Sequence, residues 1–83
     1  MKKQRLFFVM PNDLADVRDY LDCRTFEGVS PEYVRDTIED KFGCKDQIVF
    51  YTTTIGFMDA IRDGEVDLTK NVFAIADFVQ EES

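Results

Sequence analysis

The sequence predicts a small two-layer α+β domain: a three-stranded mixed sheet with its helices mainly on one face, in the order β-α-α-β-α-β. Three observations point there. The runs QRLFFVMP, QIVFYTTT and NVFAIADFV are rich in aromatic and β-branched residues, as strands are. The stretches between them repeat apolar residues every three or four positions, as amphipathic helices do. Finally, 83 residues with a 45% hydrophobic share suit one domain, residues 1–83, with enough apolar material for a core.

Leu6 to Met10 are all apolar, and Pro11 ends the first strand. Asn12 is a good N-cap for a helix over 12–22, with Asp13 and Asp16 in its first turn and Leu14, Val17 and Leu21 on one stripe. Tyr20 lies beside that stripe. CRTFEGV reads as a connector, with Phe26 and Val29 tucked against the core. In SPEYVRDTIEDKFG, Ser30 is the N-cap, Pro31 the first helical residue, and Gly43 a left-handed stop. Val34, Ile38 and Phe42 form the buried stripe. QIVFYTTT (47–54) is the second strand. Thr53 or Thr54 caps a third helix, 54–63, with Phe57, Met58 and Ile61 facing inward. GEVDLTKN is a loop anchored by Val66 and Leu68, and 71–79 is the last strand. The polar end, 79–83, reads as a flexible tail. The last two strands are far enough apart for a parallel crossover, with the first strand antiparallel to both.

Both faces of these strands are apolar. In 71–79, Val72, Ala74, Ala76 and Phe78 oppose Phe73, Ile75 and Val79. Either one helix crosses to the second face, or an apolar sheet surface stays open, which marks an interface and a homodimer.

Charge narrows the function. Seventeen acidic residues face ten basic ones, for a net charge of −7. A nucleic-acid binder needs a positive footprint, and only Lys2, Lys3 and Arg5 cluster, so direct DNA or RNA binding is not expected. A basic protein surface suits this charge better. LFFVM is too short for a signal-peptide core or a membrane span, so a cytoplasmic protein without a membrane role is expected. Cys23 and Cys44 then read as reduced structural thiols.

Familiar catalytic and metal patterns are missing. The chain has no histidine, which removes the commonest neutral-pH base and zinc ligand. The cysteines lack C-x-x-C spacing, and the four glycines form no phosphate loop. DGEVDLTKN imitates a calcium loop but has Leu68 where glycine is required and Ala74 where the closing glutamate belongs. Asp77 is the acid in the most apolar strand, and an edge-strand position would keep it in water. No enzyme, metal or cofactor is expected.

The remaining candidate is an acidic face. Asp13, Asp16, Asp19 and Asp22 recur every third residue. Three residues turn a helix by about 300°, so the row drifts into a band and does not converge on one ion. The second helix adds Glu32, Asp36, Glu39 and Asp40 against Arg35 and Lys41. These eight acids are either a solvated face or a docking surface for a basic partner, with nucleic-acid mimicry a special case of the latter.

One segment, FMDAIRDGEVDLTKNVFAIADFV, resembles small uncharacterised acidic proteins of phages and conjugative mobile elements. They share a short F-M-x-x-I helix, a D-G-E/N-V-D-L turn and a hydrophobic strand. The resemblance implies an inhibitor that occludes a host enzyme or defence complex, and carries no activity or site residues with it.

Overall fold

A computed structural model describes residues 3–81. In chain order it contains β1 (Lys3–Pro11), a 3₁₀ turn (Asn12–Leu14), α1 (Ala15–Leu21), β2 (Thr25–Gly28), α2 (Pro31–Phe42), β3 (Val49–Tyr51), α3 (Thr54–Arg62) and β4 (Asn71–Gln80). The α+β class and the single mixed sheet are as expected. The sheet has four strands among the described residues, not three, in the order β2-β4-β1-β3. The extra strand is β2, inside the segment read as a connector. Four residues, TFEG, are too few to show a period. Thr25 to Gly28 become a strand by pairing in parallel with Asp77 to Gln80.

β1 is antiparallel to both β4 and β3. β3 and β4 therefore run the same way, as expected, but β1 lies between them. This makes β4 a central strand. Asp77 is consequently not at an edge. It stands on a sheet face, 3.5 Å from the Lys3 ammonium.

Two layers become three. Alternation sends Leu6, Phe8, Met10, Ala74, Ala76 and Phe78 to one face, where they pack with Val17 and Leu21 of α1 and Val34 and Ile38 of α2. Phe7 and Val9 point the other way and pack with Phe57 and Ala60 of α3 and with Val66. Phe7 and Phe57 stack with ring centroids 4.8 Å apart, and Phe73 and Tyr51 surround them. α3 crosses because both faces of β1 are apolar: leaving either in water forfeits burial worth about 25 cal/mol per Å².

Local signals explain the helix ends. Ser30 Oγ accepts from the Tyr33 N–H, Pro31 opens α2, and Gly43 stops it at φ 66°. Thr53 Oγ1 caps α3 by accepting from the Gly56 N–H. Asn12 does not cap. Its side chain donates to the Thr69 carbonyl, and the chain makes a 3₁₀ turn before a shorter α1. Some inward assignments also change. Val29, Met58 and Leu68 are exposed, and Phe42 lies at the surface against Tyr20. The last strand includes Val79 as expected and extends through Gln80, expected in a tail, while residues 82–83 lie outside those described.

Candidate interaction surface

α1 and α2 form one outer layer because their buried stripes face the same side of the sheet. The opposite sides of these helices carry the acids. Asp13, Asp16 and Asp19 are exposed from the 3₁₀ turn and α1, and Glu32, Asp36 and Asp40 from α2. Asp19 is 3.1 Å from the Arg18 guanidinium, and Asp36 is 3.2 Å from that of Arg35. Such exposed pairs add little stability.

The other two acids are placed differently. Glu39 is buried, with 6% of its surface exposed, and its Oε2 accepts from the Ile48 N–H at 3.2 Å. Asp22 is half-buried. Its Oδ1 accepts from the Ile75 N–H at 3.2 Å, and its Oδ2 lies 3.7 Å from Arg18. Both therefore belong to the fold. The surface available to a partner comprises six of the eight predicted acids, together with Asp46, which is exposed in the loop after α2.

The six do not form one continuous field. A seam of aromatic and basic residues runs between α1 and α2. Tyr20 packs edge-on against Phe42 at 5.2 Å, Arg24 lies 3.9 Å over the Tyr20 ring, and Lys41 is 5.6 Å from it. The groove there, about 280 Å³, is lined by Tyr20, Phe26, Tyr33, Thr37 and Lys41, among others. Beside it, at the C-terminal end of α2, Asp36, Glu39, Asp40 and Asp46 surround a depression of about 430 Å³ with Gly43 and Lys45. The carbonyl end of a helix carries partial negative charge, so the field there is the sum of carboxylates and dipole. The seam is not evident from the sequence because Arg24 falls in a connector and the seam depends on how two helices lie together. The clue available was Tyr20 at the margin of its stripe, with cations four and twenty-one residues onward.

Elsewhere three titratable groups are shifted by their surroundings. Burial, and secondarily Glu39, pushes the Cys44 thiol up, which makes it less reactive. Both cysteines are unpaired, Cys44 buried and Cys23 exposed. Burial and then Glu65 raise the Tyr51 phenol. Asp67 is held below the usual carboxylate range by the Thr69 hydroxyl and then the Thr69 N–H. Among the described residues no group of three or more metal-ligating side chains is placed to hold an ion, and no helix is long and apolar enough to cross a membrane. The chain matches no protein-family model, no curated protein and no solved structure.

Proposed function

We propose that this protein acts by binding, through the outer surface of α1 and α2, a partner protein with a basic surface, and that it blocks that surface without chemistry of its own. The observation carrying this reading is the exposed carboxylates of Asp36, Asp40 and Asp46 around the depression beside α2, with Asp13, Asp16 and Asp19 across the seam. Separated clusters of negative charge suit Lys and Arg side chains spaced over a broad face, and opposite fields also speed encounter. Tyr20, Tyr33 and Phe42 supply the aromatic contact that interfaces favour. The resemblance of residues 57–79 to acidic proteins of phages and mobile elements favours an inhibitor among binding modules.

The test is to capture a partner and measure its affinity from about 0.05 M to about 0.5 M salt, a range over which screening changes strongly. Replacing Asp16, Asp19 and Asp36 together by Asn should weaken binding at least about tenfold, or about 1.4 kcal/mol, and flatten the salt dependence. Unchanged affinity with an unchanged salt slope rejects this surface.

A further inference from the structure

We infer that two copies of this chain associate through the outer edge of β3, joining their sheets across a two-fold axis at Phe50. The strand geometry gives the register. The N–H groups of Ile75 and Asp77 point toward Asp22 and Arg24, the side from which β2 enters. The even residues of β4 therefore bond to β1, where Ala74 faces Phe8 and Ala76 faces Leu6. The odd residues of β1 must then bond to β3, and they are paired as Phe7 with Tyr51 and Val9 with Val49. Phe50 consequently turns its backbone groups outward, and Ile48 and Thr52 flank it at the same parity just outside β3. The Ile48 N–H confirms this parity: it points away from β1 and is taken by Glu39. By that parity the Phe50 N–H and carbonyl face away from β1, and among the described residues the Ile48 carbonyl and the Thr52 N–H have no hydrogen-bond partner.

This set is self-complementary. Phe50 can exchange both bonds with its own copy, and each Thr52 N–H can reach the Ile48 carbonyl opposite. Glu39 ends the ladder there by occupying the Ile48 N–H. On the α3 side, Val49, which is 52% exposed, would lie opposite the copy's Tyr51. On the other side the two Phe50 rings would meet beneath Arg35, which sits 5.4 Å from its own Phe50 ring.

Self-complementarity argues that the occupant is a second copy, and the local lack of charge permits it. Each chain carries −7, so two copies repel wherever acids meet. Residues 47–58, QIVFYTTTIGFM, are the longest charge-free run in the sequence, and they contain β3. Edge strands are commonly guarded by charge, proline or a bulge. β2, the other edge, carries Glu27 and follows Arg24, whereas β3 carries none of these guards.

Sedimentation of the full chain from about 1 µM to about 1 mM, a span of about 4 kcal/mol in association free energy, tests this. The mass should rise toward that of a dimer, and more so at about 0.5 M salt than at about 0.05 M, because salt screens the repulsion. That sign is opposite to the salt effect expected for a basic partner. Val49→Glu should weaken association at least about tenfold, and Val49→Thr less than about threefold, with melting temperatures showing that both variants fold. In the dimer the Phe50 and Thr52 amides should exchange slowly. A monomer at the highest concentration in both salts overturns the inference. So does a dimer indifferent to Val49→Glu with rapidly exchanging Phe50.

Discussion

The α1/α2 layer finishes the sheet differently at its two edges. Beyond β2, three backbone groups on the exposed side of β4 are closed. The Arg18 Nε donates to the Phe73 carbonyl at 2.8 Å, Asp22 accepts from the Ile75 N–H, and the Cys23 N–H donates to the Ile75 carbonyl at 2.9 Å. Two side chains and a loop replace the strand that β2 is too short to provide. At β3 only one group is closed, by Glu39, and the next outward groups stay open. An edge finished by side chains cannot accept another strand, while one stopped at a single residue can. The contrast also separates two kinds of carboxylate that look identical in sequence. Asp22 and Glu39 complete hydrogen bonds of the sheet, whereas their neighbours face water.

The largest test of this contrast is Glu39→Ala. It leaves a buried N–H at Ile48 unpaired and should destabilise by about 1–3 kcal/mol, read from the denaturant midpoint. Glu39→Gln keeps an acceptor and should recover most of the loss. If alanine and glutamine behave alike, the hydrogen bond is not what holds that edge. Asp22→Ala should cost about 1 kcal/mol, because the group is only half-buried and water can reach the vacated N–H. Its distinctive readout is faster amide exchange at Ile75 with β1 unchanged. The smallest effect belongs to Asp67, which accepts only within its own turn. Its lowered pKa means that its contribution is complete above the ordinary carboxylate value and is lost as pH falls through the folded value. An acid titration followed by NMR should therefore show the Thr69 amide shifting at a pH below the ordinary aspartate value.

Much of this fold is legible in the sequence where the cause is local. Ser30, Pro31 and Gly43 mark both ends of α2 because capping involves neighbours in the chain. The alternation in β1 and β4 identifies two buried faces. What escapes a sequence reading arises from distant partners. β2 exists because β4 is beside it. Glu39 is buried because the return from Cys44 to Ile48 passes over it, and nothing in EDKFG distinguishes it from Asp40. Of the acidic face, the helices and the outward direction of six residues were readable. Its division by Tyr20, Arg24 and Lys41 was not, since it depends on how two helices lie against each other.

The pairing of β1 with β4 also bears on how the molecule comes into being. Lys3 faces Val79 and Pro11 faces Asn71, so the central pair of the sheet joins the first strand described to the last. Contacts this distant in sequence close slowly, because most of the chain must be gathered before any of them forms. A ribosome releases LFFVM about sixty residues ahead of FAIADFV, so the nascent chain carries an unpaired hydrophobic strand while those residues are added. During that interval the segment is open to chaperones and to other nascent chains.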